Sequence, residues 1–241
     1  VDLDGTLIHP EPEAIPVWGD SGAGYMSQNT AELLGKISRW FPVVIATGRN
    51  ALSVGKLAEH IPEVRFSGFV LENGLIARTD LYGKIPLEEG WTEVCGMLPG
   101  WNRLKGYENC LGLEVPESED DPGKTVREVL ARTGRTAHLY QEPGKIFIFP
   151  FLASKLTGIR TLNFSPFVVL GNGTNDVDML EAAAYPGTLS SAHERVRDKV
   201  LTRGRGHCSC LCSHAGTEDL LKWAADRIGA ALNGLPDDGG L

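Results

Sequence analysis

Asp2-Leu3-Asp4-Gly5-Thr6-Leu7 stands at the head of the chain, and the fold is read outward from it. Two carboxylates two residues apart, followed by glycine and a hydroxyl, suit a tight polar turn better than a helix or strand interior. Three more polar clusters share its character. Thr47-Gly48-Arg49 follows the apolar run Phe41–Ala46, and Gly171-Asn172-Gly173-Thr174-Asn175-Asp176 follows Phe167–Leu170. Ser154-Lys155 opens a helical stretch leading to Leu162. Short, nearly all-apolar runs mark strands buried on both faces. Open parallel sheets bind ligands beyond the carboxyl ends of their strands, where three of these four clusters fall. Together they offer an Asp pair, hydroxyls, a lysine and a glycine-rich turn ending in amides and acids, a set suited to Mg²⁺ and a phosphate group.

Helical segments alternate with these runs. The spacing predicts helices over Asn29–Trp40 (Asn29 as N-cap, Glu32 three residues on), Asn50–Ile61, Val177–Ala184 and about Thr217–Leu232. Phe69–Leu71 and Leu75–Ala77 flank Glu72-Asn73-Gly74, a hairpin-like turn. Strands alternating with helices predict an α/β fold, a Rossmann-like parallel sheet with helices on both faces. The middle reads differently, with one helix, Lys124–Thr133, among candidate strands Cys110–Val115, Ala137–Gln141 and Ile146–Phe149. Glu142-Pro143-Gly144-Lys145 joins the last two as a hairpin. This predicts an α+β module over 81–149 inserted between core segments 1–80 and 150–232, with a flexible tail at 233–241.

Composition narrows the function. Lys and Arg number 23 against 31 Asp and Glu, a net charge of −8, which argues against a general nucleic-acid binder. No apolar run approaches the roughly 20 residues that span a bilayer. Glycine is the outlier, 29 of 241 residues against roughly 7% in ordinary proteins, consistent with many tight turns. The five cysteines, three of them crowded at Cys208, Cys210 and Cys212, do not form a secreted disulfide framework, so a reducing, cytoplasmic setting is expected. No signal peptide is visible at Val1, and the expectation is a sequence that is processed or lacks its N-terminus. Since Asp2 should follow a central strand, the expectation is a chain lacking most of that strand, a piece of a longer protein that folds poorly as written.

In order and spacing, D-L-D-G-T-L, I-A-T-G-R, S-K and G-N-G-T-N-D-V-D-M-L resemble the four motifs of the haloacid dehalogenase (HAD) superfamily. Leu71-Glu72-Asn73-Gly74 and the insert between the second and third motifs resemble the subclass with a type-2 cap, which includes Cof-type sugar phosphatases, sucrose- and mannosyl-3-phosphoglycerate phosphatases and phosphomannomutases. The resemblance implies that Asp2 is a nucleophile forming an aspartyl-phosphate and that Asp4 is the general acid and then the base. It implies that Thr47, Gly48 and Lys155 hold phosphoryl oxygens and that Asn175 orients phosphate or the lysine. Mg²⁺ would sit on Asp2, the Asp4 carbonyl and the fourth motif, Asn172 and Asp176. The expected partner is a small phosphorylated substrate, such as a sugar phosphate, and neither nucleic acid nor membrane. A phosphomutase and a catalytically weak phosphometabolite-binding protein are the alternatives, and oligomeric state is open.

One departure stands out. The family carries Gly-Asp where this chain has Gly171-Asn172, so the site loses a carboxylate, Mg²⁺ should bind more weakly and Asp176 should carry more of the load. Arg49 reads equally as a substrate-anion clamp or a structural ion pair, Glu72-Asn73 as a turn-shaping pair, and Asp178 as a solvated or capping acid. Cap residues Trp91, Trp101, Arg103, Lys105 and Lys145 are candidates for substrate choice. Cys208, Cys210 and Cys212 are expected to share the buried side of a strand rather than bind zinc, and His9, His60, His138 and His193 to lie on surface or loops.

Overall fold

The computed structural model describes residues 1–19, 22–82 and 90–233. After the polar turn, a hairpin of β1 (Ile15–Gly19) and β2 (Gly22–Met26) leads into α1 (Gln28–Ser38). Then come β3 (Val43–Ala46), α2 (Ala51–His60), β4 (Phe66–Leu71), a 3₁₀ turn over Glu72–Gly74 and β5 (Ile76–Arg78). The middle holds α3 (Gly90–Gly96), β6 (Asn102–Arg103), β7 (Leu111–Glu114), α4 (Pro122–Arg132), β8 (His138–Glu142) and β9 (Lys145–Phe149). The chain closes with α5 (Lys155–Thr161), β10 (Val168–Leu170), a 3₁₀ turn over Thr174–Asp176, α6 (Val177–Ala182), β11 (Tyr185–Leu189), α7 (Glu194–Leu201), β12 (His207–Ser209) and α8 (Ser213–Asn233).

Two three-stranded groups, β5-β4-β3 and β10-β11-β12, form the main layer; β3 with β4 and all of the second group run parallel. The first residues of the chain join them. The Val1 amino group donates to Val44 O (2.7 Å), Ala46 N to Val1 O (2.8 Å), and Asp2 N to Leu170 O (2.9 Å). Asp2 therefore sits on the seam of the sheet, level with the ends of β3 and β10. Apolar side chains cover both faces. Leu34 of α1 and Leu220 and Leu221 of α8 pack with Ile45 and Leu170 in one cluster, while Ile159, Val177, Leu180, Val196 and Val200 pack with Ala46, Val70 and Val169 in the other. Burial of these aliphatic side chains, roughly 1.5–3 kcal/mol each, holds the layers together.

The inserted module is a four-stranded antiparallel sheet ordered β6-β7-β9-β8. Trp91 and Val94 of α3 and Val126, Val129 and Leu130 of α4 pack against Ile146 and Ile148. Phe147 and Phe149, alternating with those isoleucines, join Leu104, Tyr107 and Cys110 in a second cluster, as the two-residue period of a strand requires. Both faces of β9 are thus covered, which explains its unbroken apolar run.

Several expectations are revised. The α1 cap is Ser27, whose hydroxyl accepts from Thr30 N (3.0 Å), whereas Asn29 donates to Glu218 of α8 (2.6 Å). The β8–β9 turn contains only Pro143 and Gly144, with Gly144 at φ +71°, because Glu142 and Lys145 already pair. The hairpin β1–β2, with Pro and Gly inside its strands, breaks the usual strand signature; α3 is only seven residues long. Helix α8 begins at Ser213 and runs through Asn233, the first residue of the expected tail; the rest of that tail, 234–241, and residues 83–89 of the expected 81–149 module lie outside the described residues. β12 ends at Ser209, so Cys210 and Cys212 are exposed beyond it and only Cys208 is on the strand. No described helix is long and apolar enough to cross a membrane.

Candidate active site

A buried ion triad anchors the site. The Lys155 ammonium, 1% exposed, donates to Asp2 Oδ1 (2.7 Å) and Asp176 Oδ1 (2.6 Å). Ser154 caps α5 through Thr157 N (3.0 Å), and Asp178 accepts from Ser154 Oγ (2.5 Å) and Leu156 N (3.3 Å), so Asp178 secures the turn that carries the lysine. Burial alone would lower the Lys155 pKa, but Asp176 and Asp2 outweigh it and raise it. Burial, with Asp176 next in weight, raises Asp2 from 3.8 to about 6 despite the lysine. The other Asp176 oxygen accepts from Asn172 N (2.9 Å) and Gly173 N (2.8 Å). Asp176 therefore spends one oxygen on the lysine and the other on its own loop.

The free face of Asp2 meets Asn172 through a shared hydroxyl. Thr6 Oγ1 lies 3.0 Å from Asp2 Oδ2 and 3.3 Å from Asn172 Oδ1. Close approach explains Gly5, at φ +73°: a Cβ there would stand 2.1 Å from Asn172 Nδ2. Gly74 is required for the same reason, since its Cβ would meet Ser154 O at 2.0 Å.

The second motif folds into the same corner. Thr47 is fully buried and its hydroxyl accepts from Arg49 N (3.1 Å). Arg49 takes the ion-pair alternative: Nε donates to Asp4 Oδ2 (2.8 Å), one terminal nitrogen to Asp4 Oδ1 (2.6 Å), and the other to Ser53 Oγ (3.0 Å). Asp4 is the open partner, its side chain 58% exposed against 13% for Arg49. Asn175 donates to Asn73 Oδ1 (2.8 Å), and Asn73 N to Thr47 O (3.0 Å), linking motifs four and two.

Glu72 goes beyond turn shaping. Its fully buried carboxylate accepts from Glu108 N (2.6 Å), Asn109 N (2.9 Å) and Cys110 N (2.8 Å) of the inserted module. Burial raises its pKa, with the three amides opposing. Asn50 Nδ2 donates to Lys105 O (3.1 Å) beside it. The module is thereby fastened over a cavity of about 490 Å³ lined by Asp2, Asp4, Gly48, Arg49, Asn172 and Asn175 below and by Tyr107, Tyr140, Glu142, Lys145 and Phe147 above.

No family model matches the chain, and no curated protein matches it in sequence. Solved structures do. Thermoplasma acidophilum protein 0175 superposes with a TM-score of 0.69 at 14% identity, over 92% of this chain and 95% of that one. A haloacid dehalogenase-like hydrolase from Bacteroides thetaiotaomicron gives 0.68 at 17%, over 94% and 97%. The sugar phosphatase BT4131, of HAD subclass IIB, gives 0.61 at 17%, over 93% and 97%. This is the haloacid dehalogenase fold.

In HAD terms the four β-module strands and two helices stand as the cap and the rest as the Rossmann-like core. Of the residues named for substrate choice, only Lys145 reaches the cavity. Trp91 is buried in the cap core, Trp101 packs against it, and Arg103 and Lys105 are exposed elsewhere. The cavity residues Tyr107, Tyr140, Glu142 and Phe147 escaped the sequence reading, although the hairpin containing three of them was identified and its inward register could have named them. His9 is also buried, whereas His60, His138 and His193 are exposed.

Proposed function

We propose that this chain is a Mg²⁺-dependent phosphomonoesterase acting on a small phosphorylated metabolite of the sugar-phosphate class. The observation that carries it is the Lys155–Asp2–Asp176 triad at the floor of a capped cavity. Asp2 lines a space large enough for a monosaccharide phosphate, with the Lys155 cation on its Oδ1 and the Thr6 hydroxyl on its Oδ2. Gly48 lines the same cavity, with Thr47 and Lys155 buried behind the lining, and these three would hold phosphoryl oxygens.

The metal fits the donors: Asp2 Oδ2 and Asn172 Oδ1 are hard oxygens gathered about one hydroxyl, the ligand type Mg²⁺ takes. Asp2, Asn172 and the Asp4 carbonyl would hold it, and when bound it would neutralise phosphoryl charge and favour ionised Asp2. Among the described residues no three His, Cys, Asp or Glu side chains converge, consistent with the missing carboxylate at Asn172.

Asp2 attacks phosphorus as the bond to the leaving oxygen breaks, and Asp4 supplies the proton that oxygen takes. Asp4 then accepts a proton from the water that hydrolyses the aspartyl-phosphate, releasing inorganic phosphate and restoring Asp2. Both Asp4 oxygens accept from Arg49 here, so Asp4 must turn away from the guanidinium before it can act on the leaving group. The Tyr107–Tyr140–Glu142–Lys145 wall would meet the leaving alcohol. Purified protein incubated with p-nitrophenyl phosphate and a panel of sugar phosphates should release phosphate with Mg²⁺, not with EDTA, and Asp2→Asn should abolish release. Ligand binding without turnover would favour the weak binding protein, a reading that Asn172 and the Asp4–Arg49 pair support; an isomerised sugar phosphate would favour a mutase.

A further inference from the structure

His9 is a buried imidazole in the cavity wall that the chemistry above does not use. Three elements meet on it. Its backbone exchanges hydrogen bonds with Tyr25 of β2, N to O at 2.9 Å and the reverse at 2.7 Å. Its Nε2 lies 2.7 Å from Thr217 Oγ1 of α8, and the Thr217 hydroxyl lies 2.5 Å from Thr6 O in the turn of the nucleophile. The protons can be assigned. Thr217 Oγ1 faces two carbonyls that only accept, Thr6 O at 2.5 Å and Ser213 O at 3.3 Å, so its single proton goes to the nearer of them and His9 Nε2 carries the hydrogen it gives to Thr217. Burial, and His214 packed edge-on at 5.0 Å, lower the His9 pKa against the opposing pull of Glu11 and the Thr6 carbonyl. Thr6 in turn holds Asp2 Oδ2.

We propose that His9 and Thr217 form a positioning relay for the nucleophile: His9 Nε2–H to Thr217, Thr217 O–H to the Thr6 carbonyl, and Thr6 O–H to Asp2. The relay fixes Asp2 from behind the turn and ties its orientation to α8 and the β1–β2 hairpin. In its kinetic consequence it rests on the phosphatase reading; its structural half does not.

Ring ¹⁵N shifts of the full chain at neutral pH test the structural half without turnover. The His9 ring should show protonated Nε2, and Thr217→Val should mix the tautomers; an Nδ1–H ring in the unmodified protein overturns the relay. Kinetics with p-nitrophenyl phosphate and Mg²⁺ test the rest. His9→Phe and Thr217→Val should each lower kcat about tenfold or more with KM changed less than about twofold, as small misplacements of reacting groups do. His9→Gln and Thr217→Ser, which keep the donor and the hydroxyl, should recover most of that loss, and the double variant His9→Phe/Thr217→Val should be no worse than either single one. Losses that add, a change confined to KM, or His9→Gln behaving like His9→Phe overturns the proposal. An inactive unmodified protein would sink the phosphatase reading while leaving the tautomer result to decide the relay.

Discussion

Asn172 and Arg49 set the charge of the site. Asn172 replaces an acid with an amide at a position 3.3 Å from the hydroxyl that also serves Asp2. Asn172→Asp restores a unit charge to the donor set, and Mg²⁺ should then bind about tenfold tighter, roughly 1.4 kcal/mol, in calorimetry or in the Mg²⁺ activation curve. Arg49 offsets Asp4 at the mouth of the cavity. Arg49→Ala leaves Asp4 facing an anionic substrate with no counter-charge, so KM for a phosphate monoester should rise about tenfold while Asp4 remains free to move, an outcome read from initial rates over a range of substrate concentrations.

Among elements, those that build the floor were the most legible. β3, α2 and α5 each carry a strong local signal: an apolar run or a capping side chain such as Asn50 or Ser154 just before a helix. What stayed hidden depends on contacts distant in sequence. His9 meets Thr217 across 208 positions; Glu72 finds its amides 36 to 38 residues on. Short apolar clusters likewise could not say which aromatic residues look into the cavity and which, like Trp91, fill the cap. The Glu72 contact can be tested on its own. Glu72→Ala strands three backbone donors, two of them buried, and should cost about 3 kcal/mol in chemical denaturation, whereas Glu72→Gln, which keeps one acceptor oxygen, should cost less.

Across the whole molecule, chemistry and architecture share atoms. Asp2 joins the two halves of the sheet through its amide while its carboxylate faces the cavity, so the site sits where the halves meet. Protonation reaches the same region through His9, which faces His214 and the exposed Glu11. Its folded pKa lies below its ordinary 6.5, so below that pH the unfolded chain takes up the proton first and stability falls with acidification until the folded ring also titrates. The melting temperature should therefore drop more steeply below pH 6.5 in the unmodified protein than in His9→Gln, as parallel thermal melts would show.

Glu72 grips the cap through three main-chain amides, with the Cys110 thiol as the one side chain that joins them, and this has a consequence for how such a molecule can change. The side chains at 108 and 109 take no part in the Glu72 bond, so as far as this attachment goes every amino acid except proline, which lacks the amide hydrogen, can stand at those two positions. The walls above the cavity can be rewritten residue by residue for a new leaving alcohol while the joint that carries them stays in place.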